Sequence, residues 1–471
     1  MEKRKKYFFI AIPAAILIFF IVLNVVSHGA AAIFNLAMEE QNMLLGKITA
    51  EEIQANPFGE VTFTNLLWQD EKGGTILEVP EGSFKVKIFD VITKNFRSTT
   101  IEKLSLKNAN ISVNFDENMN VDFIRQSKDF KNVQQDIKKN PDSWEKKISY
   151  TNKTEEELKK IGEQRRQFQA SKIEQGWKNF NLEGRKINLN LSLENCRFEV
   201  FYRDRHYLLD RVNFETKINT DDAMTLKVRT GVFGGTMIGR GVEVNGKIDF
   251  KSADLPQCDV TVMFREVDPS SMGFGMNIHD KMTLTANFTG SVAKIIGEGR
   301  VHLDELHIPG IDFTNVDGII YYEDSMLNFK DVTADVYGGK LAAHGDYNMD
   351  TRYYNIYGHG EKLKTSYALP NAHLHCDVDL DFTIQSKGSS KNTTTFGTFS
   401  SGKGRYSLLM FKSLSGRVRS AQNELDFYDV AINFGNHKIE TDALSIKNKK
   451  LTFAPIKIAN KDGEIVFTYV R

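Results

Sequence analysis

Leu374-His375-Cys376-Asp377-Val378-Asp379-Leu380-Asp381-Phe382-Thr383-Ile384 alternates apolar and polar residues without a break. Successive side chains of a strand point to opposite faces, so the apolar residues of this stretch share one face and the aspartates the other. Ile187, Leu189, Leu191 and Leu193 repeat the pattern with Asn188, Asn190 and Ser192 between them. Met282, Leu284, Ala286 and Phe288 do so with Thr283, Thr285 and Asn287. One wet face and one dry face mark antiparallel sheet, because buried parallel strands read as continuous apolar runs. The period of two takes over after Pro57, and the expected fold class is mostly β.

The chain also echoes itself. Val232-Phe233-Gly234-Gly235-Thr236-Met237 returns as Val336-Tyr337-Gly338-Gly339-Lys340-Leu341, and Gly241 returns as Gly345. Each copy reads as a strand, a Gly-Gly hairpin turn and a return strand, with Gly234-Gly235 and Gly338-Gly339 supplying the positive φ angles of a tight turn. A degenerate third copy runs through Val430, Ile432 and Phe434 to Gly435-Asn436. A second echo links Leu104-Ser105-Leu106-Lys107-Asn108-Ala109 to Leu191-Ser192-Leu193-Glu194-Asn195-Cys196, with Ile111 and Val113 answering to Phe198 and Val200. Units that cannot bury an apolar face alone are expected to stack.

Two regions break the alternation. Lys3-Arg4-Lys5-Lys6 precedes an uncharged run from Tyr7 to Val26, long enough as a helix to cross the roughly 30 Å hydrocarbon core of a bilayer. A cleaved signal ending near Ala30-Ala31-Ala32 competes, but the run exceeds the usual h-region of such signals. The basic cluster puts the N-terminus in the cytoplasm and the body outside. From Ala31 to Ile48 the spacing stays helical, and Thr49 with Glu52 resembles a capping box for a short helix stopping at Asn56-Pro57. Between Val121 and Lys186 a stretch rich in Lys, Glu and Gln carries a second capping box, Thr154-Glu155-Glu156-Glu157, and a loose stripe of Leu158, Ile161, Phe168, Trp177 and Phe180. It reads as a helical insertion, either a solvated decoration or a charged lid. The expected division is therefore 1–28 tail and transmembrane anchor, 29–57 membrane-proximal helix, 58–120 first β block, 121–186 helical insertion and 187–471 repetitive β domain.

Composition excludes several functions. Lys plus Arg and Asp plus Glu each number 61, which removes the basic excess expected of a nucleic-acid binder. Phe numbers 33 and Pro only 9, unlike a disordered chain. Cys196, Cys258 and Cys376 form neither a disulfide framework nor a zinc pattern and read as free thiols, a single bridge staying open in an oxidising compartment. His373, His375 and Cys376 are the densest set of possible metal ligands, but Cys376 faces away from the histidines and no third ligand is at hand. Gly402-Lys403-Gly404 and Gly358-His359-Gly360 lack the ending of a phosphate loop. Asp379 and Asp381 stand in plain alternation on a wet face. No catalytic residue, metal or cofactor is expected.

Basic tail, N-terminal anchor and paired strand blocks resemble the AsmA-like proteins of bacterial envelopes. The likeness centres on Leu327 to Leu341, continuing through Gly345 to Tyr347, and it is close over roughly Val212 to Leu363. It implies an elongated, twisted antiparallel β-sheet with an apolar groove, a body in the periplasm, and transfer of phospholipid or help in outer-membrane assembly. Physics alone leads toward the same place: a sheet with one apolar face must cover it. Either the sheet closes on itself as a sandwich, or it stays open and takes acyl chains, each CH₂ removed from water contributing about 0.8 kcal/mol. The expected groove lining is Ile187, Leu189, Leu191, Leu193, Met282, Leu284, Phe288, Leu374, Val378, Leu380, Phe382 and Ile384. The expected partners are membrane phospholipids and an outer-membrane or periplasmic protein, with no nucleic acid. The competing expectation is a non-enzymatic assembly factor, a closed sandwich that binds through its sheet edges.

Overall fold

Alternating β-branched, aromatic and small polar residues fold as strands in the computed structural model of this chain, which is 69% strand and 8% helix. It describes residues 46–115 apart from 57, 94, 96 and 98, then 153–182, and 186–470 apart from breaks at 203–204, 252–254, 273–277, 309–310, 372, 388–392, 423 and 448–449. The expected anchor from Tyr7 to Val26 and the first half of the insertion lie outside these residues. Among the described residues no helix is long and apolar enough to cross a membrane. The chain divides into two units, one holding residues 163–297 together with the preceding β block, the other holding 150–162 and 298–471.

The first unit runs β1 (Lys47–Thr49), β2 (Glu52–Ala55), β3 (Glu60–Gln69), β4 (Thr75–Val86), α1 (Ile88–Ile92), β5 (Ile101–Lys107) and β6 (Asn110–Phe115). After α2 (Glu155–Leu182) come β7 (Asn188–Tyr202), β8 (Arg205–Asn219), β9 (Ala223–Arg229), β10 (Phe233–Gly235), β11 (Gly241–Asp249), β12 (Gln257–Val267) and β13 (Met282–Ser291). β1 and β2 both pair with β3, so the helix expected up to Asn56 is absent from Lys47 onward. The long edge of β3 offers Ile48 and Ile53 a cross-strand ladder, and that pairing outweighs an isolated capping pattern. β3, β4 and then β5 with β6 follow in antiparallel order.

β7 breaks the order by pairing in parallel with both β5 and β6. Its register is the sequence echo itself: Leu104 faces Leu191, Leu106 faces Leu193, Ile111 faces Phe198 and Val113 faces Val200. The two echoed segments do not stack as separate hairpins; they lie side by side. Asn108 and Asn195 both take φ 52°, a left-handed conformation that asparagine tolerates, and the Asn195 amide donates to Asn108 Oδ1 at 2.7 Å. Both strands thus bulge at the same level. Parallel neighbours need a long crossover, usually helical, and α2 lies in that connection. Its capping box forms as read: Glu157 N–H donates to Thr154 Oγ1 at 3.2 Å, and Thr154 N–H donates to Glu157 Oε2 at 2.8 Å. From β7 the sheet continues antiparallel through β8, β9 with β10, β11, β12 and β13.

β14 (Lys294–Ile308) carries the chain into the second unit. There follow β15 (Ile311–Glu323), β16 (Met326–Val336), β17 (Gly339–Asn348), β18 (Tyr353–Lys364), α3 (Thr365–Ala368), β19 (Leu374–His375), β20 (Asp377–Lys387), β21 (Thr394–Ser401), β22 (Gly404–Tyr406) and β23 (Leu409–Phe411). The last are β24 (Ser413–Ala421), β25 (Glu424–Asn433), β26 (His437–Lys447), β27 (Lys450–Phe453), β28 (Ile456–Asn460) and β29 (Ile465–Tyr469). The order β15-β16-β17-β18-β20-β21-β24-β25-β26-β28-β29 is antiparallel throughout, with β27 also on β26. β19, β22 and β23 form a separate three-stranded sheet.

Candidate functional site

The expected lining residues divide according to what covers them. Ile187 and Leu189 are each 1% exposed, and Leu191 and Leu193 are buried. They belong to one core with Phe63, Val79, Leu106, Met224 and Phe250, into which α2 sends Trp177 while Ile173 packs alongside. Trp177 stacks on Phe250 with ring centroids 5.5 Å apart. Within the described part of the insertion, Trp177 and Ile173 thus help to close this core of the first unit. Leu158 of the stripe is buried too, while the Phe180 side chain lies outside the described ones. Met282 joins Phe233, Val267 and Met272 in a second cluster. Phe288 is buried opposite Val260, and Leu284 is half-buried opposite Phe264.

The second unit is different. Val378, Leu380, Phe382 and Ile384 of β20 are all half-buried, while Asp377, Asp379 and Asp381 are exposed. Cross-strand pairing extends their face in both directions. Leu341, Gly360, Leu380, Phe399 and Gly416 form one row, and Ala343, Gly358, Phe382, Gly397, Val418 and Phe427 form the next. Leu341, Ala343, Phe399, Val418 and Phe427 are half-buried as well. Sequence reading missed these five, although Leu414, Gly416 and Val418 alternate with Ser415 and Arg417 as plainly as β20 does.

Glycines lay the rings of this face flat. A Cβ on Gly358 would stand 2.2 Å from Phe382 Cζ, and one on Gly416 would stand 2.6 Å from Phe399 Cζ. Each phenyl ring thus lies across the neighbouring strand where that strand has no side chain, as aromatic rings do over glycines elsewhere in β-sheets. The result is a broad apolar floor rather than a row of projecting rings.

Leu374 stands in the small sheet and packs with Val378 and Phe399 against Cys376 and Phe411. The alternating run turns a corner at Cys376, between β19 in the small sheet and β20 in the large one. Thr365 holds the corner: its N–H donates to the Cys376 carbonyl at 3.1 Å, and the Cys376 N–H donates to Thr365 Oγ1 at 3.0 Å. The Gly-Gly readings also shift. Val336 pairs with Gly339, so the second copy turns on Tyr337 and Gly338, with φ 49° and 69°, and Gly339 begins the return strand. The first copy is no hairpin at Gly234-Gly235: those residues pair with Leu208 and Tyr207 of β8.

The opposite face of the same strands mixes charged pairs with exposed aromatic side chains, Tyr357 and Phe396 among them. His359 Nδ1 lies 2.7 Å from Asp381 Oδ1, Arg417 pairs with Asp429, and Arg419 pairs with Asp426 at 3.0 Å. A hydrogen bond from Ser445 and the Arg419 guanidinium hold the Asp426 carboxyl below its usual range. A concavity of about 1370 Å³ on this side is bordered by His344, Tyr357, Phe396 and Tyr428, and its charges are largely matched in pairs. All three cysteines are free thiols.

No model of a known family and no curated protein matches this chain.

Proposed function

We propose that this chain is a non-enzymatic, AsmA-like envelope protein, anchored in a bacterial inner membrane by the Tyr7–Val26 run, that binds phospholipid acyl chains on the apolar face of its second unit and supports the outer membrane. The observation that carries the proposal is the half-buried state of the rows through Leu380 and Phe382. Apolar side chains left only partly covered across many neighbouring strands offer a continuous patch of the kind that marks a binding surface. Their flat floor suits a flexible alkyl chain, each methylene of which contributes about 0.8 kcal/mol on leaving water. Headgroups stay in water at the margin of the face, so tails rather than heads are selected.

The test is a photo-crosslinking residue at Leu380 in cells, followed by mass spectrometry of the captured species. Phospholipid adducts at Leu380, absent when the same residue is placed at the sealed position Leu189, are expected. Capture of no lipid at Leu380 sinks the proposal.

One observation favours the second reading, an assembly factor acting through sheet edges. β29 pairs with β28 on one side, and all five of its side chains are exposed, Ile465, Val466 and Phe467 among them. Such an edge can accept a further strand. A stable protein partner recovered without lipid would favour that reading over the first.

A further inference from the structure

The second unit leaves its antiparallel order twice, at residues 365–376 and 402–412, and both excursions go to one corner. β19 pairs with β22, Leu374 facing Tyr406, and the Ser407 N–H donates to the His373 carbonyl at 2.9 Å. The hairpin β22–β23 turns over Ser407 and Leu408, since Tyr406 faces Leu409. Its root is well packed: Phe411 and Cys376 are buried in a cluster with Leu414. Its tip is not. Leu408 is 92% exposed, Met410 67% and Leu409 60%, with Tyr406 beside them and Tyr367 and Leu369 exposed at α3.

Apart from Asp377, the cross-strand neighbour of Lys364, the charge around this tip is of one sign. Residues 363–376 and 402–412 contain Lys364, Lys403, Arg405 and Lys412 and not one Asp or Glu. All four cations are exposed, and among the described residues none has a carboxylate within ion-pair distance. The chain as a whole is neutral, so the excess is local. A rigidly rooted hairpin with a bare aliphatic tip and a collar of unpaired cations has the chemistry of a surface that meets anionic headgroups and dips its side chains between them.

We propose that the β22–β23 hairpin, with α3 beside it, docks the second unit onto an anionic lipid bilayer and inserts Leu408, Leu409 and Met410 into the interface. The inference does not require the groove to carry lipid, and its test reads different residues. The full chain, held in an amphipol and carrying Leu408→Trp, is mixed with vesicles of equal parts phosphatidylglycerol and phosphatidylcholine. A second preparation carries bromine on the acyl chains, and phosphatidylcholine vesicles serve as the neutral control. The parent chain, which keeps Leu408, gives the background from its native tryptophans. The expected result is an emission from the introduced indole that shifts to the blue and is quenched by brominated anionic vesicles, with little change on neutral ones. Each of Lys403→Ala and Arg405→Ala should weaken that response about fivefold, and 1 M salt, which shortens the screening length to about 3 Å, should weaken it further. Leu409→Ser with Met410→Ser should reduce it at least about tenfold while leaving the buried root at Phe411 intact. Emission from the hairpin tip that ignores anionic vesicles, or responds equally to neutral ones and to high salt, overturns the proposal.

Discussion

Two glycines with matched surroundings separate an open apolar face from a closed one. A Cβ on Gly358 would stand 2.2 Å from Phe382 Cζ, and a Cβ on Gly82 would stand 2.2 Å from Phe63 Cζ. Neither glycine has a positive φ, so alanine meets no backbone strain at either site. In both cases the ring must retreat by about 1 Å to reach ordinary contact. What differs is the room to do so. Phe63 is 7% exposed, inside the core that includes Trp177 and Leu189. Interiors are packed like organic crystals, so Gly82→Ala should cost about 1–3 kcal/mol as overpacking. Phe382 is half-buried, and its ring can swing off the floor. That movement should cost at most about 0.5–1.5 kcal/mol as an off-rotamer side chain, offset by about 0.4–1 kcal/mol from the stiffer unfolded chain that alanine brings.

Hydrogen exchange followed by mass spectrometry reads the two sites separately, from peptides covering β4 and β18. Gly82→Ala should lower the protection of β4, whereas Gly358→Ala should leave β18 nearly unchanged. The raised Phe382 ring should also reduce the lipid recovered with the protein. Equal losses of protection in β4 and β18 would mean that Phe382 has no space to move into, and the open-face reasoning would be refuted.

Two further outcomes follow from the titrating groups. Burial pushes the Cys196 thiol up, and it pushes Cys258 from 9.0 to about 11; because the thiolate is the reactive species, Cys258 in the native chain should react with a disulfide reagent at pH 8 roughly a hundredfold more slowly than in the denatured chain, and rapid native labelling would contradict the β12–β13 pairing that encloses it. A hydrogen bond from His302 Nε2 to the Asp304 carboxylate, with Asp317 on the other ring nitrogen, raises the His302 pKa above 6.5. A raised folded-state pKa stabilises fully below the unfolded value and is lost as pH rises through the folded one, so Asp304→Asn should lower the His302 titration midpoint seen by NMR, and an unmoved midpoint would remove Asp304 as the cause.

Much of this fold was legible in the residues. Period-two alternation placed β7, β13 and β20, and Thr154 with Glu157 placed the start of α2. The spacing between Leu104 and Leu191 held more than was read from it: it is the register of a parallel pair, and a parallel pair requires the crossover that α2 provides. Other features depend on partners distant in sequence. Nothing in Leu374 to Ile384 reveals the corner at Cys376, because Thr365 makes it. Nothing in Phe233-Gly234-Gly235 distinguishes it from Tyr337-Gly338-Gly339, yet the first adds to β8 and the second closes a hairpin. The alternation of Ile187 to Leu193 looks the same as that of Val378 to Ile384, and only the position of Trp177 tells a core from a floor.

Connectivity explains why two such similar patterns end differently. The parallel pairing of β7 with β5 and β6 obliges the chain to cross over, and the crossover helix arrives with an apolar stripe that must be buried. The first unit therefore gains its cover as a consequence of its strand order. The second unit is antiparallel throughout, so short turns suffice and no crossover helix is generated; only the first two turns of α2 cluster with it, with Gly162 against the Asp350 side chain at the β17–β18 turn. Its two long connections are spent elsewhere, on α3, β19 and the β22–β23 hairpin at one corner. An antiparallel sheet can be wet on one face, as the side bearing Asp381, Arg417 and the exposed Phe396 is. The other face carries Leu380 and Phe382, both half-buried, while Phe399 packs in the cluster of Phe411 and Cys376 at its margin. The half-buried rows are the reason to look for hydrocarbon there, and the bare hairpin tip is the reason to look for a bilayer at its corner.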